Sequence, residues 1–393
     1  MKGTIYLDHA ATTQIAPEVL EAMQPFLFGK YGNASTLYDL GKFSRAAVEK
    51  ARKQVAEVIG ASPEEIYFTS GGSEADNWAI KATAHMWRRR GNHIITSKIE
   101  HHAVLNSCKS LEEEGFAVTY LNVDEEGKIR PEELERAIRP TTILISIMYA
   151  NNEIGTIEPM EAIAEIAKKH HILLHTDAVQ AYGQIPISVK ELPIDMLSTS
   201  GHKLYGPKGI GCLYIRKQIP LKSFIDGGGQ EMGKRAGTEN VPGIVGFGKA
   251  AELAAYEMPY RMAREQQLRD KMIQTVLREI PYTRLNGSRE ERLPNNANFC
   301  FQFIEGGTLL QLLDMKGICA SAASACSSGQ SSVSHVLKAI DVPKEMEHGS
   351  LRFSLGKSTT PEEIAYTIEC LKDSVRKLRE KNPEYQEYLS SLC

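Results

Sequence analysis

Lys203 stands in the run Ser198-Thr199-Ser200-Gly201-His202-Lys203-Leu204-Tyr205-Gly206-Pro207-Lys208-Gly209-Ile210-Gly211. A lysine flanked by hydroxyl, imidazole and glycine residues has the surroundings of a Schiff-base lysine. Such a lysine would bind pyridoxal phosphate covalently while nearby donors hold the phosphate. The same run also suits a surface lysine in a Gly/Pro turn. A second reactive group is Cys326, within Ala320-Ser321-Ala322-Ala323-Ser324-Ala325-Cys326-Ser327-Ser328-Gly329-Gln330-Ser331-Ser332. That stretch has almost no apolar bulk to bury a thiol, and a small, polar loop is where an exposed reactive cysteine sits. An incidental loop cysteine fits the same composition.

Other chemistry-bearing residues follow strand-like runs. Ser70-Gly71-Gly72-Ser73-Glu74 opens a helix-like stretch, so its N–H groups and hydroxyls can bind a phosphate, although many α/β turns look like this. Glu100-His101-His102 and Asn151-Asn152-Glu153 follow two further runs. His175-Thr176-Asp177-Ala178-Val179-Gln180 ends a buried run with a carboxylate. A buried aspartate needs a cationic or hydrogen-bonding partner. A protonated pyridine nitrogen is one such partner and keeps the ring an electron sink. A helix N-cap before Ala178 is the alternative reading of Asp177.

The elements that must position these groups alternate from about residue 16 to 255. Residues 41–59 place Phe43, Ala46, Ala47, Val48, Ala51, Val55 and Val58 at helical spacing. Ile66–Thr69, Ile94–Thr96, Val118–Leu121, Thr142–Ile147, Ile172–His175 and Met196–Ser198 read as buried strands, most of them separated by helical segments. The alternation predicts an α/β domain with a mainly parallel sheet covered on both faces, its ligands collecting beyond the strand C-termini. A long charged helix pattern around Ala250–Glu279 leads into a smaller C-terminal domain. There Asn298–Phe303 and Leu351–Leu355 read as strands, and Thr308–Met315, Ser334–Ala339 and 361–380 as helices. The tail after Pro383 is polar and aromatic and is expected to be loosely held.

At 393 residues the chain exceeds the usual single core, so two domains are expected. A net charge of −3 gives no reason to propose nucleic-acid or membrane-surface binding, and the Arg88-Arg89-Arg90 triplet suits a solvated helix end. No run approaches the roughly 18–20 apolar residues of a membrane span. The opening Met1–Asp8 lacks a signal-peptide pattern, which makes a cytosolic location the expectation. The seven cysteines show no C-x-x-C pair and no metal-ligand spacing, which argues against a disulfide framework; most, Cys212 for example, read as small core residues.

Taken together, the motifs resemble the pyridoxal-phosphate cysteine desulfurases of the NifS/IscS-like branch, a fold-type I family, over essentially the whole length. The matching stretches are 6–13, Gly32-Asn33, Ser70–Asn77, Glu100–Leu105, 151–155, His175–Gln180, Ser200–Gly211, 227–231, 235–238, Ser324–Gly329 and 352–356. The resemblance implies a large cofactor-binding domain over 16–255 with a seven-stranded sheet. It implies a small α+β domain from 1–15 and 256–393 carrying a Cys loop at about 320–332. Lys203 would hold the cofactor as a Schiff base and then transfer protons, Asp177 would meet the pyridine nitrogen, Gln180 the phenolic oxygen, and His101 would stack on the ring and shuttle protons. Asn152 would sit beside the cofactor. Gly72, Ser73, Ser200 and His202 would line the phosphate site, joined by Thr238 from a second subunit of a homodimer. Arg352 and Asn33 would clamp the substrate carboxylate, and Cys326 would take the sulfur as a persulfide. No resident metal is implied, beyond Cys326 transiently ligating a cluster iron.

The reaction implied is L-cysteine to L-alanine, with sulfur passed to a U-type iron–sulfur scaffold or a tRNA thiouridylase. Selenocysteine lyase, or another transformation of a small amino acid, is the alternative enzyme reading. A sulfur-carrier or scaffold-binding protein is the alternative from another class, and retention of Lys203, Asp177 and Arg352 disfavours it. The chain departs from the family at Val333, where proline is frequent. Cys393 reads as an incidental terminal cysteine.

Overall fold

The computed structural model describes residues 3–322 and 333–392. Its strands in chain order are β1 (Ile5–Tyr6), β2 (Ile66–Thr69), β3 (His93–Ser97), β4 (Ala117–Leu121), β5 (Thr142–Ser146), β6 (Leu173–Asp177), β7 (Met196–Ser200) and β8 (Gly211–Ile215). They continue with β9 (Thr283–Asn286), β10 (Asn296–Phe301), β11 (Ile318–Cys319) and β12 (Ser350–Ser354). The helices are α1 (Pro17–Phe28), α2 (Asp39–Glu57), α3 (Gly72–Asn77), α4 (Thr83–Trp87), α5 (His102–Glu113) and α6 (Pro131–Ala137). After them come α7 (Met160–Lys169), α8 (Val241–Glu279), α9 (Gly306–Asp314), α10 (His335–Ala339), α11 (Pro361–Glu380) and α12 (Pro383–Ser391).

The main sheet has seven strands in the order β2-β8-β7-β6-β5-β3-β4. Pairing is parallel from β7 through β6, β5 and β3 to β4, and β8 runs antiparallel to both its neighbours, so the sheet is mixed but mainly parallel. Because β8 reverses twice, β2 points the same way as β7, and its C-terminal end joins those of the parallel strands. Adjacent residues feed opposite faces. Ile94 and Met196 pack with Trp78, Ile80 and Val104 on one side, whereas Ile95 and Leu197 pack with Val48, Val55 and Phe247 on the other. Strands buried on both faces explain why these runs read as unbroken apolar segments.

The smaller unit is an antiparallel sheet in the order β12-β10-β9, packed through Phe299, Phe301, Leu351 and Phe353 onto Met272, Ile364 and Leu371. Alongside lies the short parallel pair β1-β11. Helix α8 joins the two cores, with Phe247 in one and Met272 and Val276 in the other. Its 39 residues span roughly 58 Å, so the sequence-expected break at 255 falls inside one continuous helix. The helix also starts earlier than its charge pattern suggests, at Asn240, whose side chain caps Gly243 N ahead of Pro242. The helical run from Gly72 to Trp87 is likewise continuous, with a π-helical turn over Trp78–Ala82.

The tail corrects the expectation of a loose end. Asn382 caps α12 by accepting from Tyr385 N, and Tyr385 and Tyr388 pack against Tyr282 and Phe303 with ring centroids 5.3–6.2 Å apart. Aromatic residues that look like solvated tail are therefore the apolar face of a docked helix. Of the described cysteines, Cys108, Cys212, Cys300 and Cys370 are buried, as their apolar neighbours imply.

Two predictions follow from the packing. Removing residues 383–393 should expose Tyr282 and Phe303 and lower unfolding free energy by roughly 1–3 kcal/mol; an unchanged denaturant midpoint would mean that α12 docks without stabilising. The second concerns Glu158, fully buried near Ile129 N, with one carboxyl oxygen lacking a partner. Burial pushes its pKa from 4.5 up to about 8, so its contribution is fully present below 4.5 and is lost as pH rises towards 8. Glu158→Gln, which needs no proton, should therefore be more stable than the parent at pH 8 by about 1 kcal/mol or more, and the gap should close near pH 5. Parallel stability–pH curves would show that Glu158 is not protonated in the fold.

Candidate active site

Every sequence-expected residue in the described part of the main sheet comes to one edge. A cavity of about 350 Å³ lies there, lined by Ala10, Ala11, Gly72, Ser73, Asp76, His101, Met148, Ala150, Asn152, Asp177, Val179, Gln180, Ser200, His202, Lys203 and Arg352. Strand ends supply the polar groups: Asp177 closes β6, Ser200 closes β7, and Gly72 and Ser73 begin the helix after β2. This is the edge at which parallel sheets collect ligands. Arg352 comes from the small unit's β12, so both cores contribute.

Lys203 ends a short 3₁₀ turn after β7, and its Nζ donates to the carbonyls of Ala10 (2.6 Å) and Ala11 (2.7 Å). Gln180 Nε2 donates to the same Ala10 carbonyl at 3.0 Å. The segment 10–13 is thus the floor on which the lysine rests; Thr13 Oγ1 and N both donate to the His202 carbonyl. Asp177 is 6% exposed, and its Oδ1 accepts from Val179 N at 2.9 Å. Burial raises its pKa, while His101, that N–H and Lys203 pull it down. His101 is the N-cap of α5, accepting from Ala103 N through Nδ1 at 3.1 Å, which leaves Nε2 to carry the ring proton.

The phosphate-binding candidates share a wall. A Cβ on Gly72 would meet Val179 Cγ2 at 2.5 Å, so only glycine lets the helical run start this close to β6. Ser73, Ser200 and His202 border an adjoining opening with Thr12 and Lys208. His202 Nδ1 pairs with Thr12 Oγ1 at 3.1 Å, and burial lowers its pKa to about 4, so the imidazole is neutral at physiological pH. Glu74 accepts from Ser70 N at 2.9 Å and from Arg235 Nε at 2.9 Å, fixing the turn.

Arg352 donates to Asp8 Oδ1 and to the Asn152 carbonyl, both at 2.8 Å. Asn152 thus touches the site through its backbone as well as lining the cavity. Its neighbour Asn151 accepts from Glu153 N and Ile154 N, which shapes that turn. Asn33 does not reach the cavity lining: it is exposed and accepts from Ser35 N at 2.9 Å. Thr238 is also exposed and outside the lining. Cys326 lies outside the described residues, but its flanks are placed. Ser321 exchanges backbone hydrogen bonds with Arg352, and beyond the stretch Ser334 Oγ donates to Glu153 Oε2 at 2.6 Å, while His335 Nε2 meets the Glu100 carbonyl at 3.0 Å.

Sequence reasoning gave no role to Asp8, Asp76 or Glu100, although each lies in or beside a recognised motif. A carboxylate's partner is set by tertiary approach, and Asp8 and Arg352 are far apart along the chain. Asp76, on the cavity side of α3, is 1% exposed, and its Oδ1 has no hydrogen-bond partner. Asp76, His101 and Asp177 each offer an atom within 4.8 Å of the others. Two buried carboxylates on one cavity wall call for a cationic N–H, which a protonated pyridine supplies. With Lys203 opposite and hydroxyl and glycine positions at one end, the donor set fits pyridoxal phosphate.

A family profile described as Aminotransferase class-V matches residues 5–366. Cysteine desulfurase IscS of Dictyoglomus turgidum (strain DSM 6724 / Z-1310) is 53% identical over 99% of this chain and 98% of its own length. The Methanosarcina thermophila protein of the same name is 54% identical over 96% and 94%. Among solved structures, one titled NifS-like protein superposes with a TM-score of 0.89 at 41% identity, covering 94% of this chain and 98% of that one. Another, SspA in complex with cysteine, gives a TM-score of 0.80 at 39% identity over 90% and 99%. Edge, cavity and full-length similarity agree, and the chain belongs to the class-V aminotransferases of fold-type I and, within them, to the NifS/IscS-like cysteine desulfurases.

Proposed function

We propose that this chain converts L-cysteine to L-alanine with pyridoxal 5'-phosphate held in the cavity around Lys203, and that Cys326 carries the sulfur away as a persulfide. The observation that carries the reading is the convergence of Lys203, Asp177, His101 and Arg352 on one cavity. The relative solved with cysteine, similar over nine-tenths of the chain, supports the substrate. When bound, pyridoxal phosphate supplies an electron sink for a carbanion at the substrate Cα.

The chain's own groups divide the remaining work. Asp177 accepts the ring N–H, Gln180 reaches the phenolic oxygen, and His101 covers the ring at the cavity mouth. Gly72, Ser73, Ser200 and His202 hold the phosphate. A neutral His202 donates from one nitrogen only, since Nδ1 is engaged by Thr12. Lys203 takes the Cα proton and returns protons later. Arg352 holds the substrate carboxylate and Asn152 borders it; Asn33 would join only if its exposed turn moved inward.

The Cys326 thiolate then attacks the substrate sulfur. An S–S bond forms as the Cβ–S bond breaks, the electron pair stays on the carbon fragment, and that fragment takes up protons to leave as alanine. One flank of the Cys326 segment is tied to the cavity residue Arg352 and the other to Glu153, next to the cavity residue Asn152, which supports this role. Exposed apolar side chains on and after α1, among them Phe28 at 75% and Leu37 at 81%, suit a homodimer in which Thr238 completes the second copy's phosphate site. The persulfide would serve a sulfur-accepting protein such as a U-type iron–sulfur scaffold or a tRNA thiouridylase. No helix among the described residues is long and apolar enough to cross a membrane, and a cytoplasmic location is proposed.

Cys326→Ser should bind the cofactor and show the first absorbance change with cysteine, yet form no protein persulfide by mass spectrometry; full sulfur release from that variant would remove Cys326 from the mechanism. Arg352→Ala should raise KM for cysteine about thirtyfold or more, the equivalent of roughly 2 kcal/mol for an unpaired carboxylate. An unchanged KM would put the carboxylate site elsewhere.

A further inference from the structure

We propose that Asp76 is a positioning residue: it keeps a proton, and through it holds Asp177 charged and facing the cavity. The proposal rests on the reading of Asp177 as the partner of the pyridine nitrogen. Asp76 is buried on α3 in the cavity wall, within 4.8 Å of an atom of Asp177 and of His101. Two carboxylates this close and this dry do not both ionise, so one proton stays with the pair.

The surroundings decide which one holds it. Asp177 receives the Val179 N–H, has Lys203 as its nearby cation and has the His101 ring beside it. Asp76 shares His101 but receives neither that N–H nor the Lys203 charge. Its neighbours are the Ser198 hydroxyl, Glu100 and His175. His175 Nε2 lies 3.7 Å from Asp76 Oδ1, beyond hydrogen-bond reach. Both ring nitrogens of His175 are engaged instead, by Ser146 Oγ at 2.8 Å and Ser198 Oγ at 2.9 Å, and burial keeps that imidazole neutral, its pKa near 3. Glu100 brings no cation, and its own carboxyl is pushed by burial to about 8. The proton therefore belongs to Asp76, in agreement with the upward shift that burial and then Asp177 impose on it. A protonated Asp76 is a donor where an ionised one is only an acceptor. The pair then carries one negative charge, matched to one pyridinium.

The test titrates the apo-protein with pyridoxal phosphate, followed by absorbance across pH, for Asp76→Asn, Asp76→Ala and Asp177→Asn, with far-UV circular dichroism to check folding. Asparagine keeps a donor in the same shape, whereas alanine does not. Asp76→Ala should weaken cofactor affinity about tenfold and shift the pH at which the visible band changes by about one unit; Asp76→Asn should restore affinity to within about threefold and return the pH profile to the parent's. Equal impairment in both would mean that the charge of Asp76 matters and not its proton. An alanine variant matching the parent in both readouts would mean that Asp76 only fills space. Stoichiometric zinc uptake by the apo-protein, lost in Asp76→Asn, would also overturn the proposal by giving the pair two charges. If Asp177→Asn leaves affinity and band unchanged, the reading of Asp177 itself fails, whatever Asp76 does.

Discussion

An ionised carboxylate at the end of a buried strand is costly, and much of this site is arranged around that cost. Asp177 sits at the C-terminus of β6 with one backbone N–H, a histidine capping the neighbouring helix and a lysine across the cavity. Each comes from a different strand end, so the sheet order determines whether the carboxylate is supported. The reversal of β8 is part of this arrangement: it brings β2, and with it Gly72, Ser73 and Asp76, to the same edge. Burial raises other interior acids, Glu100, Glu158 and Glu265, towards neutrality, Glu265 despite Arg261 and Arg264 nearby.

Much of the fold was legible because the signals are local. Continuous apolar runs such as Thr142–Ser146 mark strands covered on both faces, and the 361–380 periodicity matches α11 residue for residue. Site residues after strands were legible for the same reason, since Asp177, Ser200 and Lys203 follow recognisable strand ends. The illegible parts depend on distant approach. Nothing near Asp8 announces Arg352, and nothing near Asp76 announces Asp177. The amphipathic tail shows its apolar face only once Tyr282 and Phe303 are known to lie beneath it. The start of α8 was missed because its first turns, rich in glycine and small residues, pack against α1 and α2 and lack the charged pattern further along.

Helix α8 makes the two cores mechanically one. Arg261 donates to the Gly183 carbonyl, Arg264 to the carbonyls of Lys357 (2.5 Å) and Thr359 (2.7 Å), and Arg269 to that of Leu293 (2.8 Å). Three guanidinium groups along one helix thereby anchor loops of both units. Arg352, borne on the small sheet, then has a defined position relative to Lys203, borne on the large one. A substrate held at one end by each, as proposed, would need that relation fixed.

The segment around Ala10 and Ala11 has a consequence for how the protein is made. It is made well before its partners: the two carbonyls meet Lys203, β1 pairs with β11 at Ile318–Cys319, and Asp8 bridges to Ser354. The floor of the cavity can therefore meet Gln180, His202 and Lys203 once the middle of the chain is made, but its anchors in the small unit wait for β11 and β12. The main sheet, β2 through β8, can form beforehand from contacts nearer in sequence. Fixing the site between the two units is then among the last steps of folding, and a chain stopped before residue 318 would hold Lys203 on a ledge anchored to only one of them.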